Sequence, residues 1–257
     1  MTSPERTLRE HLRERPFALA MSSGFFGFYA HAGFLAVLEE EGLLPTRITG
    51  SSAGGFTGAV WAAGMSALAF GEELLALERR DFWDPGPGWG LLRGQLFRAR
   101  LERLLPTRDF AACRVPLALS IYDIKTRKTR VVTDGDLADA IRATCAVPFL
   151  FHPVRIDGRP SFDGGILDRP GLDGMPATEE RVLFHHLGSK SPWRHKLTLP
   201  KRRGMLTFTI EGLPRSGPFK LEEGRRAFDV ARRTTKHALD QPITGDLLSV
   251  SAATPAS

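Results

Sequence analysis

The sequence predicts an α/β fold built on a mainly parallel sheet. Two observations carry that reading. Short apolar runs of β type alternate with segments of helical period, and glycine and proline punctuate the turns between them. A third observation concerns organisation: no internal repeat, low-complexity tract or obvious linker divides the 257 residues, which predicts one domain over 1–257.

Taken in order, Phe17–Met21 reads as the first strand. It is shorter than the apolar stretch of about 7 to 15 residues that a signal peptide needs. A glycine-containing turn follows, then the helical pattern HAGFLAVLEEEG, stopped by Gly42. Arg47–Gly50 reads as a short strand and Ala53–Ala63 as a small-residue helix stopped by Gly64. LFRARLERLLP is an amphipathic helix ending before Pro106. VPLALSIYDI and KTRVVTDG read as strands, and DLADAIRATCAVP as a helix that Asp136 caps and that ends before Pro148. RVLFHHLG is a further strand, LEEGRRAFDVARRTTKHAL a final helix, and SAATPAS a loose tail.

The chemistry gathers in two glycine-rich turns. Gly50-Ser51-Ser52-Ala53-Gly54 fits G-x-S-x-G between a strand and a helix. A serine at the apex of so tight a turn is lifted clear of the sheet, and its neighbours must be nearly bare because other backbone passes close. Ser52 is the apex, at a helix N-terminus whose free N–H groups and dipole favour negative charge. Four Asp-Gly pairs occur, at Asp134, Asp157, Asp163 and Asp173, and only Asp163 precedes two glycines. Gly164 and Gly165 let a second turn approach that carboxylate. Burial would raise its pKa from the ordinary value near 3.9 toward that of a useful base. Upstream, SSGFFGFYAHAG places Gly24 and Gly27 in a turn whose N–H groups suit an oxyanion. His31, His185 and His186 sit in helix or strand patterns and read as structural, so no histidine stands out as a base.

These pieces together resemble the patatin-like phospholipases and esterases. The blocks are the glycine turn Ser23–Gly27, AHAGFLAVLEEEGL, ITGSSAGG and AIRATCAVPFLFHPVRIDGRPSFDGGILDRPG, spanning residues 17 to about 172. The resemblance implies a three-layer α/β/α fold. It also implies a Ser–Asp dyad, with Ser52 the nucleophile and Asp163 the base, and hydrolysis of lipid acyl esters through an acyl-enzyme with no cofactor or metal. The family's oxyanion loop usually reads G-G-G-x-[RK]-G. Here the corresponding residues run Ser23 to Phe28 without a basic residue, closer to the loop of the triglyceride-lipase branch, and Gly24, Phe25 and Phe26 are the candidate donors. An α/β-hydrolase triad fits less well, since only one strand-turn-helix unit precedes the serine strand. An acyltransferase with the same dyad, or a non-catalytic lipid binder, stays open.

The formal charge is +6, unevenly placed. Between Lys190 and Lys220 stand eight Lys or Arg and one acid, Glu211. Such a segment predicts transient contact with a membrane surface through anionic head groups. Aromatics are not interleaved with its basic residues in a recognised nucleic-acid motif, which argues against a nucleic-acid partner. DFWDPGPGWGLLRG, residues 81 to 94, reads as a lip with Trp83 and Trp89 at a lipid interface. Cys113 and Cys145 are too few and too far apart for a disulfide framework or metal site. A reducing cytoplasmic setting is the expectation, with peripheral membrane association.

Overall fold

A computed structural model describes residues 6–188 and 199–252. The first half of the chain runs α1 (Leu8–Glu14), β1 (Ala18–Met21), α2 (Phe28–Glu40), β2 (Arg47–Ser51), α3 (Ala53–Ala62), α4 (Ala67–Leu75), β3 (Gly90–Leu92), α5 (Gln95–Leu104) and β4 (Leu117–Asp123). It continues through β5 (Lys128–Val132), α6 (Leu137–Thr144), β6 (Phe149–Phe151), β7 (Val154–Ile156), β8 (Arg159–Asp163), β9 (Val182–His186), β10 (Met205–Glu211), α7 (Leu221–Ala238) and β11 (Leu247–Ser251). This is the expected α/β class, a mostly parallel sheet flanked by helices.

Nine strands form the main sheet, in the order β11-β10-β9-β1-β2-β4-β8-β7, with β5 also on β4. The run from β11 to β4 is parallel throughout, and the β4–β5, β4–β8 and β7–β8 pairs are antiparallel. A parallel strand is covered on both faces, which is why β1 reads Ala-Leu-Ala-Met with every residue buried. Its alternate residues serve two cores. Leu19 and Met21 join the large cluster under the helices. Ala18 and Ala20 face Val182, Phe184 and Met205, and Leu172 and Met175 close that side. Helix α2 has little amphipathic contrast because it is buried almost all round, packed against α4 and α7.

Strand β4 organises what matters for the site. Ser51 of β2 partners Ser120, and the next residue of β4, Ile121, partners Asp163 of β8. Residues 119–123 of β4 pair with β5 on one edge, so β2 and β8 must share the other edge, end to end. The ends of the two glycine-rich turns therefore meet on consecutive residues of a single strand.

Several elements lie outside the sequence reading. Helix α1 is held by a capping box, in which the Thr7 hydroxyl accepts from the Glu10 N–H while the Glu10 side chain accepts from the Thr7 N–H. Helix α4 begins where Ser66 caps the Ala69 N–H. The hairpin β7–β8 turns on Asp157 and Gly158, both at positive φ (49° and 72°), the arrangement Asp-Gly favours. Strand β10 crosses the basic segment and is almost wholly buried, so that segment is not one continuous charged surface. Of its cations, Lys190, Arg194 and Lys196 lie outside the described residues. Arg202 is spent inward, donating to the carbonyls of Pro176 and Glu179. The tail beyond Ala252 likewise lies outside the described residues. Among the described residues no helix is long and apolar enough to cross a membrane.

Candidate active site

The site lies at the carboxyl ends of β1 and β2, where ligands of open parallel sheets characteristically bind. Strand β2 ends at Ser51, and Ser52 turns the chain into α3 with φ 51° and ψ −123°, a backbone rarely adopted by a residue with a side chain. Gly50 allows that turn to close, because a Cβ there would stand 2.7 Å from the Gly55 nitrogen. The Ser52 N–H does not point at solvent. It donates to Thr144 Oγ1 (2.8 Å), and the Thr144 hydroxyl donates onward to the Ser120 carbonyl (2.7 Å). One buried threonine at the end of α6 thus ties the strained residue to β4.

Ser52 Oγ donates to Asp163 Oδ2 over 2.6 Å. The other carboxylate oxygen, Oδ1, accepts from the Gly165 N–H (2.7 Å), which fixes the plane of the group. Gly164 is required by clearance, since any Cβ would collide with the Ser120 carbonyl. Asp163 is 6% exposed, and burial pushes its pKa up to about 6, against the opposing pull of the Ser52 and Gly165 hydrogen bonds.

The loop after β1 supplies the third part. Gly24, Phe25 and Phe26 line the same pocket as Ser52. The Gly27 N–H closes a turn onto the Gly24 carbonyl (2.8 Å), and Phe26 takes a positive φ of 54°. The N–H groups of Gly24, Phe25 and Phe26 have no acceptor among the described residues. The same is true of Ala53, the first residue of α3, as expected of a helix start. Ala53 was not among the sequence candidates, although its place directly after the apex serine is a signal that could have found it.

Behind this loop stands a buried pair of histidines. His31 Nε2 lies 2.8 Å from the Ser22 carbonyl and must carry the proton there. Its Nδ1 therefore accepts from His185 Nδ1–H at 2.9 Å, leaving His185 Nε2 unprotonated, buried and unpartnered. Burial drives the pKa of His31 down to about 4 and that of His185 well below its ordinary value. Both are neutral and both brace the loop, as their helix and strand positions imply. Ser22 is also held by its own Oγ, which accepts from the Leu187 N–H (2.9 Å).

Beyond Ser52 the pocket is walled by aromatic rings: Phe26, Phe28, Phe56, Phe70, Phe82 and Phe97. At one wall Arg100 donates to the Glu73 carbonyl (2.8 Å) and carboxylate (3.0 Å), so its charge is neutralised within the protein. Such a cavity suits an acyl chain and offers little to a hydrophilic substrate. Among the described residues no three His, Cys, Asp or Glu side chains converge as a metal ion requires. Trp83 does not project as the sequence suggested. Its ring packs 5.3 Å from Phe219 under the Arg79 guanidinium, whereas Trp89 is exposed.

A mostly parallel α/β sheet with a bonded serine–carboxylate pair, its serine lining an apolar pocket, is the arrangement of a class of acyl-group enzymes and their relatives. Residues 19–175 match the model of the patatin-like phospholipases, and the chain belongs to that family. It is 33% identical over 155 residues to an uncharacterized NTE family protein of Mycobacterium bovis, a match covering 59% of this chain and 43% of the relative. A second NTE family protein, from Mycobacterium tuberculosis, is 27% identical over 240 residues, covering 88% of this chain and 40% of the relative. The matched region thus spans less than half of either curated relative. Among solved structures, VipD from Legionella pneumophila superposes with a TM-score of 0.55 at 17% identity, over 68% of this chain and 50% of VipD.

Proposed function

We propose that the protein hydrolyses carboxylic esters of lipid acyl groups, with Ser52 as nucleophile and Asp163 as general base. The observation that carries this reading is the 2.6 Å bond from Ser52 Oγ to Asp163 Oδ2, with Ser52 lining an aromatic-walled pocket. Asp163 takes the hydroxyl proton as Ser52 Oγ attacks the ester carbonyl. The developing oxyanion is met by the free N–H groups of the Gly24–Phe26 loop and of Ala53, each such donor contributing roughly 10²- to 10³-fold to rate. Asp163 then returns the proton to the departing alcohol, leaving the acyl group on Ser52. In the second half Asp163 deprotonates water, which attacks the acyl-enzyme, and the carboxylic acid leaves as Ser52 regains its proton.

The test is turnover of a chromogenic short-chain ester and of a phospholipid by the wild type and by Ser52→Ala. Equal rates from the two proteins would overturn the reading. Product analysis with added alcohols separates hydrolysis from acyl transfer: free acid alone supports a hydrolase, whereas new esters move the assignment to a transferase using the same pair. Lipid binding without turnover by the wild type would leave a non-catalytic binder.

A further inference from the structure

Five large apolar side chains stand exposed around the pocket: Phe149 is 88% exposed, Trp89 73%, Phe219 69%, Phe25 54% and Leu91 48%. They form two lips. On one, β3 pairs with β6, Gly90 opposite Phe149, so Trp89 and Leu91 flank the rung of Phe149, whose neighbours Leu150 and Phe151 line the pocket. On the other, Phe25 lines the pocket, and its ring lies 3.6 Å from where a Cβ on Gly217 would stand. Ser216 Oγ donates to the Phe26 carbonyl (2.8 Å), and Phe219 packs on Trp83 beside the pocket residue Phe82.

Phe149 is the most telling of these residues. It is a bulky side chain at φ +66°, in left-handed backbone that such residues avoid. The strain holds an aromatic ring in water, so it is unfavourable twice over within the isolated chain, and retained strain of this kind points to function. Cations flank the apolar rim: Arg79 lies over the Phe219 ring at 5.2 Å, Lys220 adjoins it, and Arg215 and Arg93 are exposed nearby in sequence.

We propose that this two-lipped rim is a docking face for an anionic phospholipid bilayer, with Phe149 and Trp89 inserted between head groups and the pocket mouth against the membrane. The proposal rests on the reading of the pocket as an acyl site. A protein partner seated here would seal that pocket from its substrate, whereas a lipid surface delivers the acyl chain through the opening. Aromatic rings suit the bilayer boundary, and the surrounding cations match anionic head groups. Attachment has an apolar part that survives high salt and an electrostatic part that does not.

The experiment is co-sedimentation with vesicles of equal parts phosphatidylcholine and phosphatidylglycerol, comparing the wild type with Phe149→Asn and Trp89→Ser. Asparagine tolerates positive φ, so Phe149→Asn relieves strain and is expected to melt no lower than the wild type. Each variant should partition roughly tenfold more weakly, following the burial of one aromatic side chain. Turnover of a soluble short-chain ester should be unchanged, because neither side chain lines the pocket. The Trp89 contribution to fluorescence should shift to the blue on adding vesicles, and that change should vanish in Trp89→Phe. Wild-type protein that ignores these vesicles overturns the proposal, as does undiminished binding by a Phe149→Asn, Trp89→Ser double variant or self-association that buries the rim in solution. Loss of ester turnover in every protein with vesicle binding intact would count against the enzymatic reading and leave the docking face standing.

Discussion

Ser52 and Asp163 are 111 residues apart in the chain and 2.6 Å apart in the fold, hydroxyl to carboxylate. The bond exists because Ser51 and Asp163 occupy consecutive places along one edge of β4. Removing either side chain should have different effects on activity and on stability.

Ser52→Ala should lower turnover roughly 10⁴-fold or more, as loss of a nucleophile does elsewhere. Ser52→Gly should be equally inactive yet more stable than Ser52→Ala. Glycine accepts φ 51°, ψ −123° without strain, a difference of about 1 kcal/mol, or about 2–4 °C in melting temperature for a chain of this size. Equal melting temperatures for the two variants would show that the turn stores no strain.

Asp163 must be ionised to act as a base, and its pKa is raised to about 6. The ratio kcat/KM should be flat above about pH 7 and fall about tenfold per unit below pH 6. Asp163→Asn should remove that limb along with roughly 10²- to 10⁴-fold of the rate. A profile unchanged down to pH 4.5 would exclude Asp163 as the titrating base.

Thr144→Val should slow the reaction without touching substrate. It strips the partner from both the Ser52 N–H and the Ser120 carbonyl, at about 1–3 kcal/mol for each orphaned group. Thr144→Ser keeps the hydroxyl and should retain most activity. The readout specific to positioning is kcat: it should fall in the valine variant with KM little changed, and recover in the serine variant.

Acid should destabilise the fold through its buried histidines. His31, at a pKa of about 4, and His185, well below its ordinary value, stay neutral while the unfolded chain takes up protons below about pH 6.5. Stability is therefore lost as pH falls from about 6.5 toward 4, by on the order of 1 kcal/mol per histidine per pH unit. His186, also lowered to about 4 by burial and the nearby Arg169 charge, adds to this. Asp163 acts in the opposite sense, because its raised pKa lets the native state bind a proton between about pH 6 and 4 that the unfolded state does not. Thermal melts across this range should show a falling melting temperature, steeper in Asp163→Asn and shallower in His185→Gln. A flat curve would mean that the pair is not held neutral.

Both candidate catalytic residues were legible because each announces itself locally, Ser52 inside G-x-S-x-G after a strand and Asp163 before two glycines. Asp136 was legible for the same reason, and its side chain does cap α6 by accepting from the Asp139 N–H. Thr144 was not. A threonine in the last turn of a helix has no local signature, and its importance comes from two partners brought close by the sheet. The His31–His185 bond joins residues 154 positions apart, so the sequence supported structural roles for each histidine but not their pairing. Strand β10 was hidden by the charges around it, although MLTFTIE is a strong β segment in its own right. Helix α1 carries a readable signal in the Thr-x-x-Glu spacing at Thr7 and Glu10, upstream of the first strand with which the element reading begins.

The shared edge of β4 makes the distance between hydroxyl and carboxylate a property of registration, not of loop conformation. Successive residues of a strand face opposite sides. Deleting a single position from β8 would turn the Asp163 carboxylate toward the far face of the sheet, whereas lengthening the β7–β8 turn at Asp157–Gly158 would leave its alignment untouched. Insertions should therefore be tolerated in the connections and rejected within the rungs, so this chemistry can acquire new substrates by changing its lips while the ladder beneath keeps count.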